Sequence, residues 1–314
     1  MTIAAQPFSR EQKRHVQEVL DLWQRYAPMV SHKRELTGGM QWKTLRGHEY
    51  LYRYWPDPVT RKKRSTSVGR RSPETESLYR DFYSQRDAVT ASLTASRPDF
   101  DLQARVSKAM RLNRMPNDAG DVLEVLWLNK LLDQLALVSA QAVAAYEVDL
   151  AHHISRPPPT LLEFLIPDTR FDNALLDDLE RALSELDSSY QCRSASGVFV
   201  GERGPAVRFL SFGSLVGELD AQHGVGAEQI DALVALNEFE PVNLVAVRRS
   251  GEPVPVRVVD PRLYAVLAVL RDEDAEIGIT IAELASESGR YPFDDHLLEV
   301  FPELGKREDH GLRL

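Results

Sequence analysis

A single cysteine, Cys192, stands in 314 residues. It has no partner for an intrachain disulfide, and it excludes a cysteine-built zinc or iron–sulfur site. No run approaches the 18 apolar residues that a membrane helix needs. The opening MTIAAQPFSREQKRH lacks the apolar segment of a signal peptide. A cytoplasmic protein with no membrane partner is therefore expected. The chain has no internal repeat, and its eight histidines show no ligand spacing. His152-His153 would point apart on a helix, which disfavours joint metal binding.

The chain has 43% hydrophobic and 27% charged residues, enough to build a packed core. Its length suggests about two domains. The net charge of -9 hides an asymmetry. Residues 1–115 hold 22 basic and 12 acidic side chains, whereas 116–314 hold 16 and 35. Two readings stay open: the basic third meets a polyanion, or the two parts attract each other.

Ser9 before a Lys/Glu/Gln-rich turn predicts a helix over 9–30, with Val16, Val19, Leu20, Leu22 and Trp23 on its apolar stripe. Gly38-Gly39 breaks it. Three strands should follow: Trp42 to Leu45, the aromatic run from Glu49 to Trp55, and Arg61 to Val68 after the Pro56-Asp57-Pro58 turn. Ser72-Pro73-Glu74 starts a helix that should reach about Ala95. A separate helix is expected over 99–113 and another over 118–133. Leu135 to Val138 reads as a buried strand, and Ala140 to His152 as a helix. Leu161 to Ile166 reads as a strand and Asp172 to Leu186 as a helix. Strands are then expected at 197–200, 206–210, 243–248 and 254–259, with helices at 261–270 and 281–287 and a frayed polar tail.

Three stretches carry a resemblance: Gly38-Gly39-Met40-Gln41-Trp42-Lys43, Tyr50-Leu51-Tyr52-Arg53, and Ser67 to Glu76. They resemble the N-terminal part of a bacterial nucleotidyltransferase family. Leu135 to Glu147 fits the family's buried strand, turn and helix ending in Ala-Tyr-Glu, and Asp260 to Ala265 resembles its C-terminal helix start. The resemblance spans residues 36–275. It implies an α+β fold, with an N-terminal helix–three-stranded sheet–helix unit before a mixed-sheet core with flanking helices. The expected division is 1–115 for the basic N-terminal region, 116–275 for the core, and 276–314 for a helix and polar tail.

Family chemistry implies two divalent metals held by three carboxylates, two alternating on one strand and one on its neighbour. A Gly-Ser turn at a helix start would approach the triphosphate. At each of these positions this chain departs. Ser139-Ala140 replaces the turn, leaving Ser139 as the nucleotide-binding candidate. Within Leu161-Leu162-Glu163-Phe164-Leu165, the first carboxylate becomes Leu161 and the second survives as Glu163, the sole catalytic candidate. The third position holds Arg208, and Leu267-Ala268 replaces a His-Lys pair. One carboxylate cannot hold two Mg²⁺ ions without other ligands. A Glu163–Arg208 salt bridge in place of the metal site is the economical reading. No cofactor is expected in such a protein, and Mg²⁺ only in an active one. Glu147-Val148-Asp149 mimics the acidic alternation, but continues a helical pattern and reads as a solvated helix end.

Arg61, Lys62, Lys63, Arg64, Arg70 and Arg71 place six cations within eleven residues. Lys43 and Arg53 add to them, and Tyr50, Tyr52, Tyr54 and Trp55 lie on the facing strand. The unit also resembles, loosely, the arm-binding domain of tyrosine recombinases. Its cations suit the phosphates of DNA or RNA, and its aromatics suit exposed bases. The alternative is a solvated hairpin whose aromatics cover the inner face of the sheet. Three functions are weighed. The first is a catalytically inactive nucleotidyltransferase relative that binds nucleic acid or a protein partner. The second is an active enzyme transferring a nucleotide to RNA or protein with unconventional ligands such as Glu163, Glu147 or Asp149. The third is a structural subunit of a larger complex.

Overall fold

The computed structural model describes residues 5–57, 60, 62–155, 161–192, 197–271 and 275–305. After a short strand β1 (Ala5–Pro7), the Ser9 hydroxyl accepts the Gln12 N–H, and the Gln12 side chain accepts the Ser9 N–H at 2.8 Å. This reciprocal cap starts helix α1 (Arg10–Glu35). The chain then turns at Gly38, whose φ is +91°. A Cβ there would lie 2.1 Å from the Tyr54 carbonyl oxygen, so only glycine fits this turn.

Strands β2 (Gly39–Leu45), β3 (His48–Pro56) and β4 (Lys63–Arg70) form an antiparallel meander, as their alternation and turn residues predict. Ser72 caps the following helix, with Pro73 at its first position. This helix, α2 (Pro73–Ala109), corrects the expectation of two helices, since it runs straight through Pro98. Proline removes one backbone hydrogen bond, but Phe82, Val89, Phe100 and Ala104 keep one buried face across it. Tertiary burial therefore outweighs the local breaker. Tyr26 of α1 stacks on Phe100 with ring centroids 4.3 Å apart.

The second half alternates helices and strands. Helix α3 (Asn117–Leu128) is followed by β5 (Ala136–Leu137), α4 (Val143–Leu150) and β6 (His152–Ile154). Then come β7 (Leu161–Ile166), α5 (Asn173–Leu186), β8 (Gln191–Cys192), β9 (Val198–Val200) and β10 (Ala206–Ser211). Helices α6 (Phe212–His223) and α7 (Ala227–Asn237) lead to the hairpin of β11 (Val242–Val247) and β12 (Pro253–Val258). Helices α8 (Pro261–Arg271), α9 (Ala275–Glu287) and α10 (Asp295–Val300) complete the described chain. The sequence reading placed no helix over 212–237, where four glycines interrupt the apolar spacing. Burial of Leu215, Leu219, Leu233 and Leu236 holds both helices there.

Seven strands form one mixed sheet in the order β11-β12-β5-β7-β10-β9-β8. The pairs β7–β10 and β12–β5 are parallel and the others antiparallel. The fold is α+β, as expected. Tyr146 of α4 donates to the Val259 carbonyl at 2.7 Å, and its ring meets Tyr264 of α8 edge-on at 5.2 Å. The stretch 135–147 and the stretch 260–265 thus pack together. Across residue 115, β1 pairs with β6, and the Met115 N–H donates to Val247. No helix among the described residues is long and apolar enough to cross a membrane.

Candidate functional site

Ser139 follows β5, Glu163 lies mid-way along β7, and Arg208 lies on β10. The parallel register sets Arg208 directly opposite Glu163. Glu163 Oε1 accepts from Arg208 Nη1 at 3.3 Å. Its Oε2 accepts from Arg271 Nη1, at the end of α8, at 2.8 Å. Arg208 also pairs with Glu218 of α6. The backbone N–H of Glu163 donates to Ser139 Oγ at 3.2 Å, while that hydroxyl donates to Gln141 Oε1 at 2.6 Å. Ser139 and Glu163 are both buried.

Two carboxylates thus face two guanidinium groups, and each oxygen of Glu163 is engaged by an arginine. A hard divalent cation needs several free oxygen ligands. This donor set does not fit Mg²⁺: its one central carboxylate is already occupied, and the groups around it carry positive charge. Among the described residues, no group of three or more His, Cys, Asp or Glu side chains is placed to hold a metal ion.

Arg271 and Glu218 were not singled out in the sequence. Arg271 follows Leu267-Ala268 by one helical turn, which placed it on the same side of α8. Glu218 had no local signal, because only the return of α6 over β10 brings it to Arg208.

The acidic alternation at 147–149 lies on α4, as expected, but it is not solvated. Glu147 is 1% exposed, accepts the Ile154 N–H at 2.8 Å and pairs with Arg114 at 3.4 Å. Asp149 pairs with Arg290 at 2.7 Å and accepts from the Tyr291 hydroxyl at 3.2 Å. Burial beside Asp149 pushes the Tyr291 hydroxyl up to about 12. Both acids tie the helix to distant segments.

The helix expected to reach His152 stops at Leu150, because Ala151 turns left-handed at φ +55°. His152 and His153 then lie on β6, where successive side chains face opposite ways. Phe8 packs on His153 at 4.6 Å, and burial followed by the Arg114 charge lowers the basicity of that ring.

The basic sheet divides its cations by face. Trp42 and Leu51 are paired and lie toward α2, where Trp42 meets Tyr79 and Leu51 is fully buried. Arg53 is on that side too. It is half-buried over the Phe82 ring and donates to the carbonyls of Glu35, Thr37, Gly39 and Tyr54. Burial draws its guanidinium down from the ordinary arginine range. Arg53 is therefore a brace rather than an open phosphate contact, which corrects its assignment.

Arg64 is held by Asp57 at 2.6 Å. Arg71 lies over Trp42 and pairs with Glu49 and Glu76, whose carboxylates hold its guanidinium above the ordinary range. Arg61 lies outside the described residues, and Lys62 is exposed beside it.

Tyr50, Tyr52 and Tyr54 occupy the opposite face with Lys43, Lys63 and Arg70. Lys43 Nζ sits 4.5 Å from the Tyr52 ring centre and Lys63 Nζ 3.7 Å from that of Tyr54. Arg70 contacts His48 Nδ1 at 2.9 Å. Of the four aromatics on β3, Trp55 shares the α2 side with Leu51 and Arg53, as the solvated-hairpin alternative required, whereas the three tyrosines lie on the other face. No protein-family model, curated protein or solved structure matches the chain.

Proposed function

We propose that this protein descends from a nucleotidyltransferase fold whose metal site has become an ion-pair cluster, and that it acts by binding nucleic acid through residues 42–71. The observation that carries the first half is Arg208, a cation facing the surviving carboxylate Glu163 from the neighbouring strand. In the metal-dependent reaction that position supplies a carboxylate. Here Arg208 and Arg271 neutralise Glu163, so the cluster contributes cohesion between β7, β10 and α8 instead of phosphate chemistry. The second half rests on the sheet, where Lys43, Lys63 and Arg70 share one exposed face with three tyrosines.

The test is incubation with each labelled nucleoside triphosphate, Mg²⁺ or Mn²⁺, total RNA and cell extract. The expected result is no transfer of label, together with nucleic-acid retention that weakens steeply between 50 and 200 mM salt. Transfer that disappears in Glu163→Ala would overturn the loss of catalysis. Retention that ignores salt would overturn the phosphate contact.

A further inference from the structure

We infer that the outer face of the β2–β3–β4 sheet is a stacking platform for single-stranded nucleic acid, taking one base on each of Tyr50, Tyr52 and Tyr54. This inference rests on the polyanion reading above and names its substrate class. Residues at i, i+2 and i+4 of a strand project from one face. All three tyrosines are partly exposed.

Their spacing selects the ligand. Two residues of antiparallel strand span about 6.8 Å. A stacked duplex rises about 3.4 Å per nucleotide on each strand. Neighbouring bases therefore cannot stack on each other and also meet successive tyrosines. An extended single strand with unstacked bases satisfies the spacing, and a duplex hides its base faces.

Charge complements that geometry. The outer side of the sheet carries Lys43, Lys63 and Arg70, and its uncharged neighbours are Gln41, Ser65 and Ser67. The acids of this region, Glu49 and Asp57, pair with Arg71 and Arg64, which belong to the other side. The two lysine ammonium groups rest against tyrosine rings. An exposed cation–π contact is weaker than a base–aromatic stack. A lysine that swings from the ring to a phosphate thus frees a face for the base and gains an opposite charge. Arg53 ties β2, β3 and the end of α1 together from behind the tyrosine face.

The 314-residue chain would be titrated, by fluorescence anisotropy, with a labelled 12-nucleotide uridine RNA, the matching thymidine DNA and a duplex of equal length. The expected result is preference for single strands over the duplex, with the RNA-to-DNA ratio identifying the polymer. Each Tyr→Leu change at 50, 52 or 54 should weaken single-strand binding about tenfold, while Tyr→Phe retains it. Lys43→Gln and Lys63→Gln should each reduce the log–log salt slope by about 0.7. Thermal melts would verify that each variant is folded.

Equal or tighter duplex binding, or equal losses for Leu and Phe, would overturn the platform while leaving a salt-dependent polyanion contact standing. Absence of binding to all three probes at 50 mM salt would overturn both readings.

Discussion

Glu163 and Arg208 occupy paired positions on adjacent parallel strands, with Glu163 also held by Arg271 and Arg208 by Glu218. Four charges of alternating sign thus form a chain, from Arg271 through Glu163 and Arg208 to Glu218, at the centre of the mixed sheet. Removing one member of such a cluster leaves its partner desolvated and unmatched.

Glu163→Leu is therefore expected to destabilise the fold by about 3 kcal/mol, and Arg208→Leu by a similar amount. The double variant should lose less than the sum, with a coupling of about 1–3 kcal/mol, because removing both side chains together leaves neither facing the other's missing charge. Denaturant unfolding of the four proteins measures this. Simple additivity would mean that the two side chains do not act together.

Arg53 is expected to be irreplaceable by lysine. Its planar fork reaches backbone carbonyls on α1, β2 and β3 at once, whereas an ammonium presents a point charge. Arg53→Lys should cost about 1–3 kcal/mol despite keeping the charge. A melting temperature equal to that of the parent protein would show that the carbonyl brace is dispensable.

Gly120 packs against a side chain that cannot yield. A Cβ there would lie 2.7 Å from Arg248 Nε and 2.9 Å from its Cγ. The guanidinium is pinned by Asp121 at 2.8 Å and Glu124 at 2.6 Å. Gly120→Ala is thus expected to destabilise by about 1–3 kcal/mol, although alanine has the higher helix propensity. Increased stability in a thermal melt would show that Arg248 moves freely.

His15 packs between α1 and α2, with Nε2 2.9 Å from Ser107 Oγ. Burial lowers its basicity, and the nearby Glu18 only partly opposes this. The unfolded chain therefore takes up the proton first, near pH 6.5. Stability should be at its full value above about pH 7 and fall as pH drops through about 6.5 toward the lower folded value. His153 is lowered in the same direction and adds to the slope. Melting curves between pH 7.5 and 5.5 would measure it. A His15→Gln variant should give a shallower dependence, and an unchanged slope would assign the effect elsewhere.

Much of the local structure was legible because it depends on near neighbours. Ser9 and Ser72 each accept a backbone N–H at a helix start, and both are visible as caps in the sequence. The meander follows from alternation and turn residues, and β7 matches its expected span of 161–166. The Glu163–Arg208 contact was expected from the family resemblance, and the strand register supplies it.

What tertiary structure decided lies between distant residues. Local signals favour a break at Pro98, yet the buried side chains on both sides hold one continuous helix. Pairing of β1 with β6 joins segments nearly 150 residues apart, and neither segment has a strong strand pattern of its own. Arg271 and Glu218 enter the cluster only when α8 and α6 pack over the sheet. The hairpin's charge count did not reveal how each cation is held: Arg53, Arg64 and Arg71 meet backbone carbonyls or carboxylates, while Lys43 and Lys63 rest on tyrosine rings and Arg70 contacts His48. The amino-acid sequence by itself determined the helix starts at Ser9 and Ser72, the strand at 161–166 and which side chains alternate along the meander, because short-range sterics, capping and periodicity act within a few residues. Only tertiary packing determined which charges neutralise one another and which face remains open, because those outcomes depend on burial and on contacts that no local pattern encodes.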